Sequence, residues 1–114
     1  MEPTIEQVED VVVVTLPGTH LDASNHKECT QSIVGLLESN SKVLFDLSEL
    51  QFVDSSGIGS ILFCMRKAND AGGKLRICNV TEPVRVVFDL VRMHRIIDVH
   101  ANREEALEAF KNQG

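Results

Sequence analysis

Apolar residues recur along the chain with two different periods, and the alternation between them lays out the elements. Residues 11–16, Val-Val-Val-Val-Thr-Leu, are β-branched and almost wholly apolar, the pattern of a buried strand. Residues 43–47 and 74–80 repeat that pattern, and shorter stretches at 4–8 and 96–99 predict two more strands. Between them the apolar positions move to helical spacing. Cys29, Ile33, Leu36 and Leu37 fall at i, i+4, i+7 and i+8 and predict a helix over 23–39. Ile58, Ile61, Leu62 and Met65 mark a second helix, Val84, Val87, Phe88 and Val91 a third, and Ala106, Leu107 and Phe110 a fourth. The boundaries carry matching chemistry. Glu9-Asp10 is a turn, Pro17-Gly18 ends a strand, Asp22 is a helix cap, and Asn40-Ser41 is a break. Gly72-Gly73 closes the second helix, Pro83 sits in the first turn of the third, and Asn102 with Glu105 resembles a capping box. The order β-β-α-β-α-β-α-β-α predicts an α/β fold: a small, mostly parallel or mixed sheet of four or five strands packed with four helices. No linker interrupts it, so residues 1–114 read as one domain, with only 111–114 expected to fray.

Composition narrows the function classes. The net charge of −6 has the wrong sign for a protein that grips a phosphate backbone. The chain has five Phe and neither Trp nor Tyr, which leaves no stacking platform for single-stranded nucleic acid. The start lacks the basic and apolar regions of a secretory signal, and no apolar run is long enough to span a membrane. Cys29, Cys64 and Cys78 are odd in number and lack CxxC spacing, so they read as reduced, mostly buried thiols of a cytosolic protein.

The chemistry concentrates in Phe52-Val53-Asp54-Ser55-Ser56-Gly57-Ile58-Gly59-Ser60, between a strand and a helix. Two readings stand side by side. Asp54, Ser55 and Ser56 are good N-cap residues and need no further role. A helix N-terminus also offers uncovered N–H groups and partial positive charge, which makes a serine there a candidate phosphate acceptor. Gly57 and Gly59 weigh against a plain cap, because each costs a helix about 1 kcal/mol relative to alanine. Glycines there bare the backbone to another molecule. A hydrolase would need the Gly-x-Ser-x-Gly elbow and a P-loop would need Gly-Lys-Ser/Thr; neither is present. His20, His26, His94 and His100 lack metal-site spacing, and Arg85, Arg92 and Arg95 read as a solvated face around one helix. The loop Gly18-Thr19-His20-Leu21-Asp22 is a second candidate. Where the flanking strands run parallel, it lies beside Asp54-Ser55 and Asp22 joins the same patch.

These residues in this order resemble a STAS domain of the anti-sigma factor antagonist family. The marks are Gly18-x-x-Leu21-Asp22, the strand 43–47, Asp54-Ser55-Ser56-Gly57-Ile58-Gly59, the Gly72-Gly73 turn and Val84-x-x-Val87-Phe88, so the likeness runs through nearly the whole chain. The resemblance implies a bacterial, cytoplasmic switch that regulates transcription and is not an enzyme, with no cofactor and no metal. Its partner would be an anti-sigma factor that is also a serine kinase with a histidine-kinase-like ATPase fold. That kinase would phosphorylate Ser55 and so release itself, and a metal-dependent serine phosphatase would reset the switch. Asp22, Asp54, Ser56, Gly57, Ile58 and Gly59 would form the partner-binding patch. His20 departs from the family, which has an acid before Leu-Asp. The alternative within the resemblance is an interaction module without phosphate turnover, in a signalling scaffold or beside a transporter.

Overall fold

The computed structural model describes residues 2–113. In chain order its elements are β1 (Thr4–Val8), β2 (Val11–Thr15), β3 (His20–Leu21), α1 (His26–Ser39), β4 (Lys42–Asp46), β5 (Phe52–Val53), α2 (Ser55–Asp70), β6 (Lys74–Cys78), α3 (Glu82–Leu90), a 3-10 turn (Met93–Arg95), β7 (Asp98–His100) and α4 (Arg103–Asn112). The main sheet has five strands in the order β1-β2-β4-β6-β7. β1 runs antiparallel to β2 across a turn in which Glu9 adopts φ +55°, and the other neighbours are parallel. The predicted mixed sheet with four helices is the observed one.

The alternation of side chains across the sheet explains why its central strands are largely apolar at successive positions, since both faces are covered. Val12, Val14, Val43, Phe45, Leu75 and Ile77 pack with Ile33 and Leu37 of α1, Ile61 and Ala68 of α2, and Val84 and Phe88 of α3. The intervening residues Val11, Val13, Leu44 and Cys78 meet Ala106 and Phe110 of α4 on the other face. Two charged side chains are also buried, Asp46 at 4% exposure and Arg76 at 8%. Asp46 accepts hydrogen bonds from the Ser48 N–H (3.0 Å), Arg103 Nε (3.0 Å) and Asn79 Nδ2 (3.3 Å). Burial pushes the Asp46 carboxyl up, but these donors together outweigh it and hold it below the usual range. Arg76 donates to Asp98, to His100 Nε2 (3.1 Å) and to Gln113, and its guanidinium lies 5.0 Å from the centre of the Phe110 ring. α4 therefore closes its side of the sheet through polar ties as well as apolar contact.

Several boundaries differ from expectation. α1 begins at His26, so Asp22 does not cap it; instead the Asp22 carbonyl accepts the Asn25 and His26 N–H groups in a turn ahead of the helix. The third core strand ends at Cys78, where Asn79 turns away with φ +58°. Ile96 and Ile97 are not in a strand. Ile97 is buried behind the 3-10 turn, and β7 starts one residue later. Arg92 and Arg95 lie beyond α3 rather than around it, and Lys111 and Asn112 form the last positions of α4. Gly114 lies outside the described residues. The Asn102 cap is formed, its Oδ1 accepting the Glu105 N–H at 2.9 Å.

Candidate functional site

Two very short strands build the site. β3 and β5 pair in parallel, with His20 opposite Phe52 and Leu21 opposite Val53. The Thr19 carbonyl accepts from the Gln51 and Phe52 N–H groups, and the Leu21 carbonyl from the Asp54 N–H. This zip places the Gly18–Asp22 loop alongside the start of α2, the juxtaposition expected from parallel strands. Asp54 then bonds to both segments at once. Its Oδ1 accepts the Gly57 N–H of its own helix at 2.9 Å, and its Oδ2 accepts the Ala23 N–H of the neighbouring loop at 3.2 Å. Asp54 is thus both the predicted cap and a clasp between segments 31 residues apart.

Ser55, the first residue of α2, is exposed, and Ser56 is half-buried. Gly57 and Gly59 have different reasons. A β-carbon at Gly57 would lie 2.2 Å from the Leu21 carbonyl oxygen and 2.6 Å from Val53 Cγ2, so the close approach of α2 to the β3–β5 zip requires glycine. Gly59 is exposed, with open space where its β-carbon would stand. Gly57 itself is buried, and Ile58 is buried in the core, so within Asp54–Gly59 the outward-facing members are Ser55 and Gly59 with part of Asp54 and Ser56. Asp22 is turned toward its own loop, where its Oδ1 accepts the Ser24 hydroxyl (2.6 Å) and N–H (2.9 Å). Those donors hold its carboxyl below the usual range. His20 is exposed beside it. The loop is braced by Asn25, which accepts the Asp22 N–H and donates to the His20 carbonyl.

Other features lie outside the predicted residues. His26 Nδ1 and Ser60 Oγ meet at 2.9 Å across α1 and α2. Above them a surface trough of about 750 Å³ runs between the two helices, with Ser56 and Gly59 among its lining residues. The available signal in the sequence was Phe63 with Arg66 and Lys67, which lie off the buried stripe of α2. The thiols are poor nucleophiles at neutral pH: burial pushes Cys64 and Cys78 up to about 12 and raises Cys29. Among the described residues no group of three or more His, Cys, Asp or Glu is placed to hold a metal ion, and no helix is long and apolar enough to cross a membrane.

The arrangement offers an exposed hydroxyl at a helix start, the Asp54 carboxylate next to it in the chain, and a backbone frame tied by the β3–β5 pairing and the Asp54 bonds. Residues 2–106 match the STAS domain family. An anti-sigma F factor antagonist from Paenibacillus polymyxa is 35% identical over 65 residues, which is 57% of this chain and 56% of that protein. The structure of an anti-sigma-factor antagonist (STAS) domain protein from Planctomyces limnophilus is similar with a TM-score of 0.88 at 18% identity, covering 98% of this chain and 100% of that one. The Bacillus cell fate determinant SpoIIAA in its phosphorylated form is similar with a TM-score of 0.68 at 23% identity, covering 95% of this chain and 98% of that one. The fold is shared with those structures, and by its family match over residues 2–106 the chain belongs to the STAS domain family.

Proposed function

We propose that this chain is an anti-sigma factor antagonist that acts as a phosphorylation-controlled binding switch. Ser55 carries the phosphate. The observation behind this is its placement: an exposed hydroxyl on the first residue of α2, framed by Asp54 and the Asp22 loop. The likeness to a protein named an anti-sigma F factor antagonist, and to a fold known in a phosphorylated form, supports the same reading. The partner is an anti-sigma factor that is also a serine kinase with a histidine-kinase-like ATPase fold. Asp22, Asp54, Ser56 and Gly59 contribute the docking patch, while Gly57 and Ile58 shape it from beneath.

A phosphoryl group on Ser55 adds nearly two negative charges next to carboxylates. The frame around it is tied by the β3–β5 bonds and the Asp54 clasp, so the modification changes the potential of the patch without refolding it. The unphosphorylated chain sequesters the anti-sigma factor, and the phosphorylated chain releases it. A serine phosphatase regenerates the binding form in the cytoplasm, and the chain itself performs no catalysis.

The test is incubation with the cognate kinase and ATP, with the phosphate located by mass spectrometry, followed by binding measurements on Ser55→Ala and Ser55→Asp. Ser55→Ala is expected to resist phosphorylation and to bind the kinase. Ser55→Asp is expected to lose about 2 kcal/mol or more of binding, roughly thirtyfold. Phosphate incorporated in Ser55→Ala refutes the assignment to Ser55. Equal binding by both variants refutes the switch and is what a STAS module without phosphate turnover predicts.

A further inference from the structure

The trough between α1 and α2 has its own chemistry, and the switch site uses only one end of it. Val34 and Phe63 give it apolar floor, and Lys27, Arg66 and Lys67 line it with three cations against one carboxylate, Glu38. That is local positive charge on a chain whose net charge is −6. Lys67 Nζ already lies 5.5 Å from the centre of the Phe63 ring, so a cation sits at the apolar floor itself. From Ser56 to Lys67 the trough follows α2 for about 17 Å, roughly three helical turns. It lies open on the surface along that length rather than enclosing a cavity. One apolar side chain from each helix, Val34 and Phe63, set among three cations and one carboxylate, complements a helix that carries an apolar stripe flanked by acids.

We propose that the α1–α2 trough is a docking site for an acidic amphipathic helix of a partner protein, and that phosphate on Ser55 opposes its occupation. The first half rests on the trough alone. The second rests on the phosphorylation reading above, and follows because Ser56 and Gly59 form the end of the trough one residue from Ser55. A dianion there repels an acidic occupant. The missing side chain of Gly59 leaves space for that occupant to approach α2.

The probe is a fluorescently labelled amphipathic peptide of about 15 residues, with leucines on one stripe and glutamates elsewhere. A control peptide carries lysines in place of the glutamates. Anisotropy titrations of the whole chain are expected to show micromolar binding of the acidic peptide and much weaker binding of the basic one. The Arg66→Glu/Lys67→Glu double variant, and raised salt on the unaltered chain, are each expected to weaken the acidic peptide about tenfold. Amide shifts in two-dimensional NMR are expected to concentrate at Lys27, Val34, Phe63 and Lys67. Equal binding of the two peptides, indifference to both the double variant and salt, or shifts located elsewhere overturns the site. Binding of anionic phosphatidylglycerol vesicles with no binding of the peptide also overturns it, in favour of a membrane surface. Ser55→Ala and Ser55→Asp separate the two halves. Tight binding by both overturns the coupling to phosphate while the trough stands; weakening confined to Ser55→Asp supports the coupling.

Discussion

Gly57 and Gly59 look alike in the sequence, and the structure predicts that alanine at each changes stability in opposite directions. At Gly57 the added carbon would fall 2.2 Å from the Leu21 carbonyl oxygen and 2.6 Å from Val53 Cγ2. The first distance is more than about 1 Å short of ordinary contact. One obstacle is backbone and the other is a stiff, buried valine, so relief requires α2 to back away from the β3–β5 zip. Overpacking of this kind costs about 1–3 kcal/mol, with a backbone clash at the upper end, and the better helix propensity of alanine returns up to about 1 kcal/mol. Gly57→Ala is therefore expected to be about 2 kcal/mol less stable than the unaltered chain. Gly59→Ala meets nothing within 4 Å and keeps the propensity gain. Urea denaturation followed by far-ultraviolet circular dichroism measures both. Thermal midpoints are expected to move by roughly 4 °C per kcal/mol. Amide exchange adds a local readout: the Ala23 N–H, bonded to Asp54, is expected to exchange faster in Gly57→Ala. Equal shifts for the two variants, or a Gly57→Ala midpoint at or above that of the unaltered chain, refutes the packing argument.

Two further predictions concern the polar ties under α4. Arg103→Ala removes the cation from buried Asp46 while the Ser48 and Asn79 donors remain, and Arg103 is itself about one-third exposed. The expected loss is about 2 kcal/mol by urea denaturation, below the full value for a broken buried pair. A loss near zero would show that Ser48 and Asn79 suffice. His100 accepts from Arg76, and burial first, then the neighbouring guanidinium, hold it below its ordinary 6.5. A depressed histidine binds protons more readily unfolded than folded. Its contribution is therefore complete above pH 6.5 and is lost as pH falls through the folded value. His100→Gln is expected to flatten the fall in thermal midpoint on acidification below that pH, and an unchanged slope would refute the assignment.

The centre of the main sheet was legible because β2 and β4 are buried on both faces and announce themselves through the apolar runs 11–14 and 43–45. The helices showed through Ile33 and Leu37, Ile58 and Ile61, Val84 and Phe88, and Ala106 and Phe110, all of which are buried. β3 and β5 were not legible, because two residues are too few to display a period, and the pairing that defines them joins segments far apart in sequence. The start of α1 was misplaced because Asp22, Ser24 and Asn25 are all capping residue types. The Asn25 bonds to Asp22 and His20 decide among them, and those belong to the folded loop. Ile96-Ile97 is a strand-like pair whose second member is needed as a core anchor behind a turn. Within the site, the Asp54 cap was legible from local chemistry, whereas its bond to Ala23 and the His26–Ser60 contact depend on which elements the fold brings side by side.

The unequal covering of the sheet has a consequence for synthesis. Three helices on one face are interleaved with the strands they cover, so that layer can assemble as the chain lengthens. Among the described residues the other face is covered by one helix, α4, which follows every strand in chain order. Until residues 103–113 leave the ribosome, Val11, Val13, Leu44 and Cys78 lack the cover of Ala106 and Phe110, and Asp46 and Arg76 lack their ties to Arg103 and Gln113. At roughly 5–20 residues per second that interval is short, and it is the moment at which a nascent chain of this fold most needs a chaperone.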